Sequence, residues 1–149
     1  MKKILVTLSI LVLVIAMAGI ATAGDVPTPT EAPAGVKIIS AADAKNQISN
    51  IKVFDMRKAL NFGKGHLPGA TSVPYKWTKK GHPSQRTGEF DVSKLPADKN
   101  QKILFHSDGP NGWKSYYASK KAAEMGYTNV LWMREGFATW SEKGYTVEH

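Results

Sequence analysis

Short apolar runs alternate with polar, turn-forming stretches from residue 36 to the end of the chain. Runs rich in Val, Ile, Leu and aromatic side chains are typical of buried strands, particularly where Gly, Pro, Asn or Asp flanks them. The runs that fit this description lie at residues 36–39, 51–54, 71–73, 102–105 and 129–133. We therefore predict a strand at each of these positions.

Helical signals stand between and after these strands. Ser40 followed by Asp43 resembles a helix N-cap with an acid in the first turn. Residues 113–125 place apolar side chains at helical spacing, and the pattern stops at Gly126, a residue that commonly ends helices. A short terminal helix is predicted at residues 137–144, where two aromatic side chains stand at i and i+3.

The predicted order of elements is β-α-β-β-β-α-β-α, and the polar stretch at residues 75–100 is predicted to be a loop. Strands that alternate with helices form mainly parallel sheets whose two faces are covered by the helices. The predicted fold class is therefore α/β, with a mainly parallel central sheet and helices on both faces.

The N-terminus has the three parts of a secretory signal. Lys2 and Lys3 precede an uncharged run at residues 4–20, and small residues follow at 21–23. We predict a signal peptide at residues 1–23, which places the mature chain in the periplasm or outside the cell. An uncleaved membrane anchor is the alternative, because the run approaches the length that spans a bilayer.

Residues 24–35 are rich in Pro and Thr, and they are predicted to form a flexible leader. Pro27, Pro29 and Pro33 block helix formation and sheet pairing, which leaves the segment without a regular partner. The folded domain is then predicted to cover residues 36–149.

The charge is basic but dispersed. The full chain carries a formal charge of +8, and removal of Lys2 and Lys3 leaves 18 basic residues against 12 acidic ones, or +6. The lysines are scattered, and export argues against a nucleic-acid partner. A solvated basic surface is the interpretation we favour over an anionic partner, and membrane contact is expected only if the signal segment is uncleaved.

The chain contains no cysteine, so no disulfide framework can stabilise it. Stability must come from a packed core, to which the aromatic residues contribute, all of them after Gly24. The four histidines are well separated and lack the spacing of metal ligands, so we predict no metal site and no cofactor.

The candidate site lies at residues 105–115, where an apolar strand breaks into a Gly/Pro-rich turn and continues as a helix. Parallel α/β folds bind ligands at this kind of junction. The segment resembles the active-site loop of the rhodanese (sulfurtransferase) family, in the branch whose loop reads Cys-x-Gly-Pro-x-Cys-Trp-x-Ser.

Three further segments resemble the same family in the expected order. They are Asp55-Met56-Arg57, the turn at residues 65–70 before Val73-Pro74, and the stretch from Gly126 to Trp140. Within the turn, His66 is interpreted as a structural residue that hydrogen-bonds the backbone. Asp55 and Arg57 are interpreted in the first place as a structural ion pair at the end of a strand.

This sequence departs from the family at both cysteine positions, which Ser107 and Gly112 occupy. A rhodanese uses a cysteine thiolate to attack thiosulfate and to hold the transferred sulfur as a persulfide. A serine hydroxyl is un-ionised near neutral pH and forms no persulfide, so the sequence predicts no sulfurtransferase turnover. Whether Ser107 is natural or replaces a native cysteine is open at this point.

An anion-binding loop remains after the nucleophile is lost. Its predicted members are Ser107, Asp108, Gly109, Pro110, Asn111, Gly112 and Trp113, with Asp55, Arg57 and Lys114 in support. Loop amides and the start of the following helix favour negative charge. The predicted ligand is a small anion such as thiosulfate or sulfite, bound without turnover.

Other functions remain open. A partner-binding module, with another exported protein as partner, or a purely structural module would also fit a degenerate loop. A serine hydrolase fits poorly, because Phe105 stands where a nucleophile elbow needs glycine and the side chains of His106 and Asp108 diverge from Ser107. Trp77 is a candidate for an exposed contact, whereas Trp113 and the two tyrosines after it are expected in the core.

Overall fold

The computed structural model describes residues 26–149, which form seven strands and four α-helices. The strands are β1 (Val36–Ile38), β2 (Lys52–Asp55), β3 (Thr71–Ser72), β4 (Lys76–Lys79), β5 (Thr87–Glu89), β6 (Ile103–His106) and β7 (Val130–Met133). The helices are α1 (Ala41–Gln47), α2 (Ala59–Gly63), α3 (Trp113–Glu124) and α4 (Gly136–Glu142).

A five-stranded parallel sheet, with strand order β1-β7-β6-β2-β3, forms the centre of the fold. Strand β6 is the middle strand, and all four of its residues are buried. A strand buried on both faces needs a continuous apolar run, and residues 103–105 supply one. The predicted mainly parallel α/β sheet is confirmed.

The two faces of the sheet carry separate cores, because neighbouring residues of a strand point to opposite sides. Phe105 lies in a cluster with Phe54 and with Ala118 and Ala122 of α3. Leu104 lies in the cluster on the other face, which includes residues of α1 and, from α4, Trp140 at 1% exposure. Helices therefore cover both faces, as the alternation of elements predicts.

A β-hairpin, made of the antiparallel strands β4 and β5, stands where the sequence predicted a loop at residues 75–100. Its strands read Lys-Trp-Thr-Lys and Thr-Gly-Glu and are largely exposed, so they show no alternation of apolar and polar positions. The loop prediction is wrong here. Trp77, predicted to be exposed, is half-buried and makes edge contacts with Tyr75 and Tyr117 at centroid distances of 5.2 and 5.8 Å.

From residue 26 onward, the segment predicted to be a leader contacts the candidate loop. Thr28 is only 3% exposed, and its amide and hydroxyl both donate to the Pro110 carbonyl at 2.9 and 2.7 Å. The Trp113 indole N–H donates to the Val26 carbonyl at 2.8 Å. A proline has no backbone N–H and disrupts regular strand pairing, but its carbonyl oxygen can still accept a hydrogen bond. The segment therefore hydrogen-bonds to the rest of the domain without forming a strand. We call Val26–Pro29 the strap.

Arg134, which directly follows β7, also hydrogen-bonds to the strap. Its Nε donates to Thr28 Oγ1 and to the Pro29 carbonyl at 3.1 and 2.9 Å, and its Nη2 donates to the Thr28 carbonyl at 2.9 Å. Planar guanidinium groups suit such multiple acceptors. The predicted signal peptide at residues 1–23 lies outside the described residues. Between residues 26 and 149, no helix is long and apolar enough to cross a membrane.

Replacing Arg134 with Ala is expected to release the strap and to lower the free energy of unfolding by about 1–3 kcal/mol, because several hydrogen bonds from one charged group are lost. Hydrogen exchange at the Thr28 amide should become faster while exchange in β6 stays slow. Lys121→Ala, which removes an exposed cation from α3, is the control. Unchanged exchange at Thr28 in the Arg134 variant would contradict this role.

Candidate active-site loop

The candidate site is the loop at residues 107–112, which joins the carboxyl end of the middle strand β6 to the start of α3. Ser107 follows β6 directly, and Gly112 is the N-cap residue of α3. The loop therefore lies at the edge of the sheet where parallel α/β folds bind ligands. It also has the amino end of a helix beside it, which favours negative charge.

The first turn of α4 holds the loop backbone. The amide of Phe137 donates to the Ser107 carbonyl at 2.9 Å, and the amide of Ala138 donates to the Asp108 carbonyl at 2.8 Å. Gly136 allows this approach, because a Cβ at that position would lie 2.5 Å from the Gly109 nitrogen. The loop and the α4 terminus thus satisfy each other's backbone groups.

Ser107 is buried to 2% exposure, and its hydroxyl has no hydrogen-bond partner among residues 26–149. Buried hydroxyls are ordinarily paired, because an unpaired one costs free energy. The neighbouring His106 does not serve as a base, since its Nδ1 lies 3.2 Å from the Ser107 carbonyl oxygen and its Nε2 lies 3.6 Å from Asp55 Oδ2. A hydrolase with Ser107 as activated nucleophile is therefore not supported.

Gly112 closes the loop in a tight turn, with its amide donating to the Gly109 carbonyl at 2.8 Å. A Cβ at position 112 would lie 2.7 Å from that same carbonyl oxygen and 2.8 Å from the Ser107 Cβ. Both distances are shorter than real Cβ contacts. This loop conformation therefore has no room for a cysteine at residue 112 and is shaped around glycine.

Asp55 and Arg57 form a buried ion pair. Arg57 Nη2 donates to Asp55 Oδ2 at 2.6 Å, Nε contacts both carboxylate oxygens at 3.0 Å, and Nη2 also donates to the Gly65 carbonyl at 2.7 Å. The guanidinium lies 4.0 Å from the centre of the Phe137 ring. The structural interpretation of this pair fits the geometry. Arg57 supports the strand end and α4, and it is not among the residues that line the cavity over the loop.

A cavity of about 250 Å³ opens over Ser107. The predicted loop supplies part of its lining, and the hairpin supplies Trp77 and Arg86. The sequence indicates Trp77 only as an exposed contact and does not single out Arg86. The lining residues are Trp77, Arg86, Ser107, Asp108, Asn111, Gly112, Trp113 and Lys114. Gly109 and Pro110 complete the loop but do not line this cavity. Burial lowers the pKa of the half-buried Lys114, although Asp108 acts in the opposite direction.

Aromatic side chains border the cavity. Trp113 is buried, as expected of a core residue, and its ring centre lies 5.4 Å from that of Tyr116 and 5.8 Å from that of Tyr117. The two tyrosines are half-buried. Trp77 contacts Tyr117 edge-on at 5.8 Å, so the aromatic group joins α3 to the hairpin.

The remaining histidine prediction concerns the turn at residues 65–70. His66 Nδ1 lies 3.2 Å from the Phe62 carbonyl oxygen, and the two rings stack at 3.8 Å. This supports the structural interpretation of His66. In the described part of the chain, no group of three or more His, Cys, Asp or Glu side chains could hold a metal ion.

The loop, most of the central sheet and the Asp55–Arg57 pair all lie in the part of the chain that matches a known protein family. The profile of the family described as "Rhodanese-like domain" matches residues 40–143. That range includes the central strands, α3, the loop and α4. The chain belongs to the rhodanese-like domain family.

Solved structures with the same fold are similar to the chain at low identity. A rhodanese-related protein from Thermoplasma volcanium is 21% identical with a TM-score of 0.58, over 75% of this chain and 97% of that chain. A protein from Bacillus halodurans is 24% identical with a TM-score of 0.58, over 75% and 76%. A thiosulfate sulfurtransferase from Pseudomonas aeruginosa is 18% identical with a TM-score of 0.55, over 76% and 20%. At these identities the likeness supports the fold alone. A search of curated proteins gave no match.

Gly136→Ala is expected to destabilise the protein more than Gly144→Ala at the other end of α4. Both glycines have positive φ, +66° and +67°, so each alanine costs about 1–2 kcal/mol in backbone strain. Only the Cβ at residue 136 meets backbone atoms, which adds about 1–3 kcal/mol. Chemical denaturation of the two variants measures the difference, and equal stabilities would contradict the close contact between α4 and the loop.

The stability of the protein should fall as pH drops below about 6.5. Burial lowers the pKa of His106 in the folded state, so the unfolded chain binds the proton first and acid favours unfolding. The loss should reach up to about 1.4 kcal/mol per pH unit between the two pKa values. His106→Gln should flatten the dependence of unfolding free energy on pH, and the exposed His82→Gln should leave it unchanged. A native chain with equal stability at pH 7 and pH 5 would disprove this.

Proposed function

We propose that this protein is an exported, non-catalytic rhodanese-like domain that binds a small anion at the loop formed by residues 107–112. The preferred ligand class is a sulfur oxyanion such as thiosulfate or sulfite. One observation carries the proposal: Ser107 lines the cavity over the loop, and its buried hydroxyl has no hydrogen-bond partner among residues 26–149. An anion that accepts a hydrogen bond from this hydroxyl would satisfy it.

The charge around the loop supports an anionic ligand. Lys114 stands in the first turn of α3 and lines the cavity, and the amino end of that helix adds a favourable dipole. Desolvation penalises the charged form of Lys114, and an anion beside it would offset that penalty. The exposed Asp108 is the opposing negative charge on the same rim.

Turnover is excluded from the proposal because the chain has no cysteine. Sulfur transfer requires a thiolate that attacks the outer sulfur of thiosulfate, expels sulfite and keeps that sulfur as a persulfide. The Ser107 hydroxyl cannot form such a species. The proposal therefore includes descent from the branch of the family whose loop carries two cysteines. Ser107 and Gly112 now occupy those two positions.

A sulfurtransferase in which the native residue at 107 is cysteine is the second candidate. It is favoured by the position of Ser107, directly after the middle strand and under the amino end of α3. A thiol there would stand at a helix terminus that lowers thiol pKa values. A partner-binding or structural module is the third candidate, and it predicts no response to anions at all.

Anion binding is tested by thermal unfolding and calorimetry of residues 24–149 at constant ionic strength, with thiosulfate, sulfite and chloride compared. We expect thiosulfate or sulfite to raise the Tm relative to chloride, and Ser107→Ala to weaken binding at least fivefold. Ser119→Ala is the matched control, because that buried hydroxyl already donates to the Tyr116 carbonyl within α3. Identical Tm values in all three salts would overturn the proposal.

The thiocyanate assay with thiosulfate and cyanide separates the candidates further. The native chain should give no product above a buffer blank, and any turnover would overturn the non-catalytic assignment. Ser107→Cys is expected to gain turnover if the loop still positions a nucleophile. If the variant is folded, binds thiosulfate and yet is inactive, the second candidate is eliminated while the binding proposal stands.

A further inference from the structure

The cavity over the loop is larger than a bare inorganic oxyanion needs. Its volume of about 250 Å³ is many times the roughly 10–15 Å³ that one water molecule needs. A tetrahedral anion bound at Ser107 would fill only the part of the cavity next to the loop. The remaining space is bounded by side chains of the hairpin and of α3, so the ligand has room for a body attached to its anionic group.

Two indole rings form the apolar part of the wall of this space, and polar side chains line the rest. The Trp77 ring stands at 90° to the Tyr117 ring, with centroids 5.8 Å apart, and Trp113 lies 5.8 Å from the same tyrosine. Edge contacts between aromatic rings fix their orientations. Both indoles line the cavity that contains Ser107, so an inorganic ion would leave apolar surface in contact with water.

Arg86 supplies a cation on the same wall. Its Nε donates to the Gly81 carbonyl at 2.8 Å, and its guanidinium lies 5.3 Å from the centre of the Trp77 ring. Between residues 26 and 149 no carboxylate lies within ion-pair distance of it, whereas Arg57 is committed to Asp55. Arg86 is thus fixed at one nitrogen and has donors remaining for a ligand.

We propose that the site binds an organic oxyanion more tightly than an inorganic one. The small anionic head group lies at Ser107 and Lys114, and it carries an apolar and preferably aromatic body against Trp77 and Trp113. Arg86 is the specificity residue that binds the head group from the hairpin side. This inference rests on the proposed anion-binding function and names the ligand class of the same site. The head group is assigned to Ser107 because its buried hydroxyl has no partner in the described part of the chain, residues 26–149.

Methanesulfonate and benzenesulfonate test the inference because they share one head group and one charge. In calorimetric titrations at constant ionic strength, benzenesulfonate should bind the native chain at least tenfold more tightly than methanesulfonate. Trp77→Ala should reduce that ratio below threefold, because benzenesulfonate loses more affinity than methanesulfonate. Trp77→Phe, which keeps an aromatic wall, should restore most of the ratio and shows that the hairpin is folded.

Arg86→Gln should weaken both sulfonates at least fivefold, because it removes charge from the head-group side. Lys80→Gln is the matched control, since Lys80 is an exposed cation of the same hairpin that does not line the cavity. Equal affinities for the two sulfonates, or a ratio that Trp77→Ala does not change, would overturn the inference and leave the proposed function standing. If neither sulfonate nor thiosulfate nor sulfite binds, the proposed function fails and the inference fails with it.

Discussion

The shape of the loop depends on two amide hydrogen bonds from the first turn of α4 to the carbonyls of Ser107 and Asp108. A helix start carries unpaired N–H groups, and a loop that leaves a strand carries unpaired carbonyl groups. Each element satisfies the other, and Gly136 lets the two backbones meet without a side chain between them. This contact holds the backbone of Ser107 and Asp108, two of the residues that line the cavity.

This contact does not depend on the side chains of the loop. The hydrogen bonds from α4 involve only backbone groups, so they are indifferent to the side chain at residue 107. The tight turn at Gly112 likewise uses a backbone donor and a backbone acceptor. The same backbone hydrogen bonds are therefore available with either serine or cysteine at residue 107.

The central sheet could be predicted from the sequence because most of its strands are short apolar runs flanked by turn-forming residues. The loop could be located because a strand, a Gly/Pro-rich turn and a helical pattern follow one another at residues 105–115. The hairpin could not, since its strands are short and exposed and carry no alternation. Arg86 and Trp77 were consequently missed as neighbours of Ser107, although both are visible in the sequence.

The strap joins parts of the chain that are far apart in sequence: 82 residues separate Thr28 from Pro110, and 106 separate it from Arg134. Contacts of such long range close large loops and are costly to form early in folding. A ribosome makes the N-terminal residues first, yet their native contacts require residues near the other end. The strap is thus synthesised long before the residues that bind it, and its full set of contacts can form only after Arg134 has been made.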